Sequence, residues 1–288
     1  MKPDHLHITE CPRDAMQGIR SQIPTAEKAK YLNSLLRVGF DRIDAGSFVS
    51  QKAIPQMADT KEVFSRLDLT GSSSALLAII ANKRGAEDAA ACEAVSFLGY
   101  PFSVSETFQL RNTQAGLAES LERLDEISNI CLNAGKKLQV YLSMAFGNPY
   151  GDPWSPELVM EWAARLSERG VKHIALADTT GISDVASISS LFTALLPAMP
   201  EVEFSAHLHA RPEDVEKKAL AAWKAGCRSF DTALKGFGGC PMAEDKLTGN
   251  MDTELLLAAL KNLAVNRLDE KALKLATDSA HLLFNKYH

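Results

Sequence analysis

The chain has 288 residues, of which 46% are hydrophobic and 23% charged, and a formal net charge of −5. That length and balance suit one large α/β domain with a sizeable core, and the acidic balance without a dense Lys/Arg block argues against a nucleic-acid binder. No apolar run approaches the ~18 residues needed to span a bilayer.

Short β-favouring apolar runs alternate with longer amphipathic ones. In chain order the predicted strands are His5–Ile8, Arg42–Ala45, Ala75–Ile80, Ala94–Phe97, Leu138–Met144, His173–Ala177, Glu203–His209 and Ser229–Leu234. Helices with 3.6-residue periodicity are predicted at Thr25–Val38, with Thr25 as N-cap and Gly39 as stop, and at Gly116–Ala134, Ser155–Arg169, Ser183–Leu196 and Glu213–Ala225. Glycines follow most of these helices, and Pro197 is expected to end the fourth. Eight strands interleaved with helices predict an α/β fold, a (β/α)8 TIM barrel formed as a single catalytic domain over residues 1–288. An open doubly wound sheet is the alternative. No GxGxxG or Walker sequence follows the first strand, which weakens its nucleotide-binding versions. From about residue 252, Glu254–Val265 and Glu270–Leu283 read as extra C-terminal helices that pack on the barrel or mediate homo-oligomerisation, with a dimer expected. The five cysteines (11, 92, 131, 227 and 240) are scattered and form no CxxC pair, as expected of reduced thiols. The N-terminus has no apolar signal segment, so a cytoplasmic location is expected.

The stretch Phe204-Ser-Ala-His-Leu-His-Ala210 is the most informative. Residues i and i+2 of a strand share a face, so His207 and His209 are expected to aim at one point, as metal ligands do. Two hydrogen-bonded polar residues at a strand end are the alternative. Other polar residues fall where strands end, the rim that carries the active site in a barrel. They are Arg13, Asp14 and Gln17 after the first strand, Asp44 closing the second, Ser143 late in the fifth, and Asp178 and Thr179 ending the sixth. Singly, Asp14 reads equally as a helix cap, Asp44 as a hydrogen-bonded strand end, and Asp178 as the partner of a core arginine. After the eighth strand comes Lys235-Gly-Phe-Gly-Gly-Cys240-Pro, whose glycines predict a mobile loop, and then Asn250. One carboxylate, two imidazoles and one amide oxygen suit Mg²⁺ or Mn²⁺, with Zn²⁺ remaining open.

Five stretches carry a family resemblance: Pro12-Arg-Asp-Ala-Met-Gln17, Ser47 to Met57, Ser143-Met-Ala-Phe-Gly-Asn-Pro-Tyr150, His207-Leu-His209 and Gly236-Phe-Gly-Gly-Cys-Pro241, with Gly249-Asn250 beyond them. Together they resemble the 3-hydroxy-3-methylglutaryl-CoA (HMG-CoA) lyases of the metal-dependent barrel superfamily. The resemblance implies a divalent metal held by Asp14, His207, His209 and Asn250, and catalytic residues Arg13, Asp44, Asp178, Cys240 and His207. Arg13 would steady the enolate oxygen, Asp178 would orient the reacting hydroxyl, and Cys240 would descend on the loop. The implied reaction is retro-Claisen cleavage of an acyl-CoA thioester, HMG-CoA or a related 3-hydroxyacyl-CoA. From HMG-CoA the products are acetyl-CoA and acetoacetate.

The chain also departs from that family. Ala210-Arg-Pro-Glu213 replaces an Asp-Thr-Tyr-Gly continuation, Asp44 a glutamate, and Ala15 a glycine. Met144 and Asn148 stand at positions commonly cysteine, and Lys235 where a small residue is expected. Of these, Met144, Asn148, Lys235 and the Ala210–Glu213 segment are expected to touch the acyl branch of the substrate or the rim around it. The alternatives are a condensing enzyme of the same superfamily, joining an acyl-CoA to a 2-oxo acid, and a non-catalytic metal or CoA-thioester binding barrel.

Overall fold

Eight parallel strands close on themselves. In the computed structural model, which describes residues 4–239 and 248–287, the strands pair in chain order. They are β1 (His7–Glu10), β2 (Arg42–Ser47), β3 (Ala75–Ile79), β4 (Val95–Ser103), β5 (Lys137–Ser143), β6 (His173–Ala177), β7 (Glu203–His207) and β8 (Ser229–Thr232). β8 returns to β1, with His7 opposite Ser229 and Glu10 opposite Thr232. The TIM barrel expected from the sequence is therefore present.

The outer layer follows the predicted periodicity. It includes α2 (Thr25–Leu36), α6 (Leu117–Asn133), α7 (Pro156–Glu168), α8 (Val185–Ala198) and α9 (Pro212–Lys224), together with three shorter helices the sequence did not predict, α3 (Thr60–Ser65), α4 (Lys83–Ala90) and α5 (Glu106–Thr113). Ser155 caps α7 by accepting from Leu158 N–H, and Gly170 beyond its end takes a left-handed φ of 83° that glycine adopts without strain. Several boundaries differ from the expectation, and β4 runs on to Ser103 rather than ending at Phe97. Thr25 does not cap α2, because its hydroxyl donates to Asp59 Oδ2 at 2.6 Å and Pro24 occupies the cap position. α8 begins after Asp184, whose side chain forms a capping box with Ser187, and it continues through Pro197. The proline sits in the last turn, where Met199 N–H still reaches the Leu195 carbonyl at 3.0 Å, so the ring costs little helix.

Beyond the barrel, α10 (Thr253–Leu260) and α11 (Glu270–Tyr287) lie against α9 and α2 respectively. The residues between them do not continue α10 to Val265 as expected. Ala264–Val265 is extended and pairs in parallel with Asp4–His5, closing the end of the barrel opposite the polar rim.

Alternate strand residues fill the barrel. Leu77, Ile79, Phe97, Tyr141 and Ala175 form an apolar cluster separate from the main core between strands and helices. Beneath it, Arg42 donates to Gln139 at 3.0 Å and to Glu203 at 2.5 Å, with its guanidinium 4.4 Å from the Phe97 ring centre. Above it lie the polar residues of the C-terminal rim. Among the described residues no helix is long and apolar enough to cross a membrane.

Candidate active site

β1 runs directly into the short helix α1 (Pro12–Gln17), where Pro12 presets the first helical φ. Positions i and i+4 of a helix share a face, so Arg13 and Gln17 meet, and Arg13 Nη1 donates to Gln17 Oε1 at 2.8 Å. The same nitrogen reaches Asp14 Oδ1 at 3.0 Å, while Arg13 Nε sits 3.1 and 3.0 Å from the two oxygens of Asp44. Arg13 Nη2 also donates to Asp44. Of the guanidinium's five N–H groups, these bonds leave one on Nη2. Asp44 does not close β2 as expected. It lies inside the strand, which runs on to Ser47, and is fully buried against Arg13.

β7 ends at His207, two residues earlier than expected, yet both imidazoles still share a face. His209 pairs with Asn250 across an antiparallel bridge, held by Ala210 N–H to the Gly249 carbonyl (3.1 Å) and Met251 N–H to the Leu208 carbonyl (3.2 Å). Ligand atoms of Asp14, His207 and His209 lie within 4.8 Å of one another in a buried cluster. Asn250 Nδ2 donates to Asp14 Oδ2 at 2.8 Å and to the Phe237 carbonyl at 2.9 Å, which leaves its amide oxygen as the atom for a cation.

The charges suit an electropositive guest. Burial opposes ionisation of Asp14, but Arg13, His207 and His209 outweigh it and hold the carboxyl below its ordinary range. Burial, reinforced by neighbouring His207, lowers His209 to about 4, so its lone pair is free at neutral pH. His207 Nδ1 lies 3.1 Å from Asp231 Oδ2, an arrangement that presents Nε2 to a metal and raises its basicity. Burial opposes protonation of His207, but Asp231 and Asp14 outweigh it and raise its proton affinity, so a divalent cation would displace that proton to join the Asp14 carboxylate and the neutral His209.

Asp178 is not paired with an arginine. Its carboxylate accepts from Ser183 N–H (3.1 Å), Ser183 Oγ (2.5 Å) and Lys218 Nζ (2.9 Å), and Lys218 also donates to the His209 carbonyl at 2.7 Å. Asp178 thus reaches the site through Lys218, bracing the backbone that carries His209.

A profile of the HMGL-like family matches residues 7–278. The chain belongs to the HMGL-like family. The mitochondrial hydroxymethylglutaryl-CoA lyase of Rattus norvegicus is 33% identical over 268 residues, covering 92% of this chain and 81% of the relative. The (R)-citramalyl-CoA lyase of Chloroflexus aurantiacus is also 33% identical, over 284 residues, with 94% and 88% covered. Among solved structures, an HMG-CoA lyase from A. baumannii in complex with coenzyme A and 3-methylmalate superposes with a TM-score of 0.91 at 30% identity, covering 99% of this chain and 93% of the other. The protein is a carbon–carbon lyase of this HMG-CoA lyase-like family.

Within that family its departures have distinct placements. Met144 (φ 59°) and Lys235 (φ 61°) both adopt the left-handed conformation at strand ends. Such a backbone favours glycine, consistent with the small residue expected at 235. Asn148 organises its own turn, with Oδ1 accepting from Tyr150 N–H and Asp152 N–H and Nδ2 donating to the Asp152 carbonyl. Arg211 and Lys235, both exposed, line one cavity of about 500 Å³ with Thr248, Asn250 and Asp252. The described glycines of the loop do more than loosen it. A Cβ on Gly238 would come within 2.6 Å of Ala15 Cα and 2.8 Å of Asn250 Nδ2, so glycine there permits close packing on the site. Cys240 lies outside the described residues.

Sequence reasoning missed Asp231, Lys218 and Glu10. Asp231 was traceable: it occupies an inward position of β8, and the register that sets Ser205 opposite Ser229 sets it beside His207. Lys218 carried no signal beyond a charge in an amphipathic helix.

Proposed function

We propose that this protein is a divalent-metal-dependent lyase that cleaves a 3-hydroxyacyl-CoA carrying a tertiary 3-hydroxyl, releasing acetyl-CoA. HMG-CoA is the first candidate, with acetoacetate as its other product, and citramalyl-CoA the second. The observation that carries this reading is the buried convergence of Asp14, His207 and His209 at the rim, with Arg13 beside it and Asn250 bonded to Asp14. Asp14, His207, His209 and the amide oxygen of Asn250 would hold Mg²⁺ or Mn²⁺. When bound, such a cation supplies positive charge that stabilises an alkoxide and polarises substrate oxygens.

The chain's own residues supply the rest. Asp44 clamps Arg13 so that its remaining Nη2 N–H can meet the thioester oxygen as enolate charge develops, an oxyanion-type contact worth roughly 3–4 kcal/mol. Asp231 fixes the ring of His207, and the Asp178–Lys218 pair fixes the backbone of His209. Solvent water at the rim takes the 3-hydroxyl proton, and the alkoxide becomes the new carbonyl as the carbon–carbon bond breaks. The electrons of that bond pass to the enolate, and Cys240 supplies the proton that converts the enolate carbon to the methyl of acetyl-CoA. Its thiolate then regains a proton from solvent. The second carbonyl product forms from the carbon that carried the hydroxyl. Both candidate acyl groups are supported by equally similar relatives, and Arg211 and Lys235 supply cationic groups at the cavity beside Asn250.

The H207A/H209A double variant tests this reading. It should lose both Mg²⁺ or Mn²⁺ occupancy and cleavage while keeping a native circular dichroism spectrum. Unchanged metal content by elemental analysis would refute the assigned site.

A further inference from the structure

Two imidazoles and a carboxylate also meet at the opposite mouth of the barrel. His5 Nε2 lies 3.3 Å and His7 Nδ1 3.1 Å from the same oxygen, Asp41 Oδ1. The three ligand atoms lie within 4.8 Å of one another. His5 comes from the strand Asp4–His5 that pairs with Ala264–Val265, His7 from the first position of β1, and Asp41 from the residue before β2. The two rings stand edge to face, with centres 4.4 Å apart.

Backbone bonds hold this arrangement. Asp41 Oδ2 accepts from Ile8 N–H at 2.9 Å, which turns Oδ1 towards the imidazoles. Outer donors orient metal-ligating carboxylates in the same way. Between the histidines, Leu6 N–H bonds to the Val265 carbonyl and His7 N–H to the Arg228 carbonyl, each at 2.8 Å. Both side chains therefore leave a fixed backbone. With bonds of about 2.0–2.1 Å, a tetrahedral Zn²⁺ site places neighbouring ligand atoms roughly 3.3–3.4 Å apart. The two imidazole–carboxylate distances, 3.1 and 3.3 Å, are near that edge length. His7 is exposed and His5 and Asp41 half-buried, so an ion can enter from solvent and keep water in a fourth position.

We infer that His5, His7 and Asp41 form a second metal site, specific for a borderline divalent transition metal, with Zn²⁺ as the principal occupant. Two nitrogens and one oxygen favour Zn²⁺, Cu²⁺ or Ni²⁺ over Mg²⁺, which prefers an all-oxygen shell. The bound ion ties the N-terminal strand to β1 and to the entrance of β2. Binding to the native state alone raises thermal stability, by about 5 °C or more at a hundredfold excess over Kd.

The test is a Zn²⁺ titration by calorimetry, with retained metal counted after gel filtration. It requires no turnover and so stands apart from the function proposed above. The wild-type protein should bind two Zn²⁺, one of them removed by H5Q/H7Q and the other by H207Q/H209Q. Zn²⁺ should raise the Tm of H207Q/H209Q but leave that of H5Q/H7Q/H207Q/H209Q unchanged. D41N, which keeps an acceptor for Ile8 N–H, serves in place of H5Q/H7Q should that variant misfold. Equal Zn²⁺ stoichiometry in wild type and H5Q/H7Q (or D41N) would overturn the inference, as would a single site in the wild type abolished by H207Q/H209Q.

Discussion

Glu10 offers a prediction whose size can be worked from the structure. Its side chain is fully buried, accepting from Leu234 N–H and Thr253 Oγ1, each at 2.7 Å. Those partners lie on the two stems of the glycine-rich segment, so one carboxyl joins both ends of the loop that leads to Asn250. Burial pushes Glu10 up from 4.5 to about 8, aided by nearby Glu254 and Asp252, although the two hydrogen bonds oppose the shift. Between those values the native state keeps a proton that the unfolded chain releases. Stability therefore falls as pH rises through this window, and changes no further from this source above it. The slope is about 1.4 kcal/mol per pH unit, and the total over 3.5 units is about 5 kcal/mol at its upper bound. Glu10→Gln keeps the shape and an acceptor oxygen but cannot ionise. Urea unfolding at pH 4.5, 6, 7 and 8 should give similar stabilities at the lowest pH and an increasing advantage for E10Q above it. Parallel pH profiles, or a wild type more stable than E10Q at pH 8, would refute the reasoning.

Two further predictions concern the site and its rim. Asp231→Asn lets the new amide donate to His207 Nδ1, moving the ring proton to Nε2, the nitrogen a cation needs. Metal affinity by titration should fall roughly 10–100-fold, and unchanged affinity would remove Asp231 from the account. The double variant R211A/K235A removes two exposed cations from the 500 Å³ cavity. At about 0.2–1 kcal/mol each, it should raise KM for the acyl-CoA roughly 2–30-fold with kcat nearly unchanged. A fall in kcat at constant KM would contradict a binding role.

Although the short helices Thr60–Ser65, Lys83–Ala90 and Glu106–Thr113 are too brief to show a period, the barrel was legible because its strands and its longer helices carry their own. Ser155–Arg169 shows this, with its cap and glycine stop contained in the local sequence. The HxH pair was legible for the same reason: two residues on one strand share a face whatever the rest of the chain does. The supports were not. Asp231 meets His207 only through strand register, Lys218 reaches the His209 carbonyl from a helix, and Glu10 joins stems more than 200 residues away in sequence. Such partnerships depend on closure of the sheet, which local periodicity does not encode. Asn148 is a different case, since its bonds reach only Tyr150 and Asp152, two and four residues on, a turn of the kind asparagine makes locally.

Metal-dependent release of acetyl-CoA from a tertiary 3-hydroxyacyl-CoA is the central claim. HMG-CoA and citramalyl-CoA differ by one methylene in the carboxylate arm, a difference that pockets discriminate by only about 10–200-fold. Purified protein should therefore release acetyl-CoA from both in a coupled assay with Mg²⁺ or Mn²⁺, favouring one, and EDTA should abolish release from each. No acetyl-CoA from either thioester with metal present, together with condensation of acetyl-CoA and a 2-oxo acid, would contradict the account.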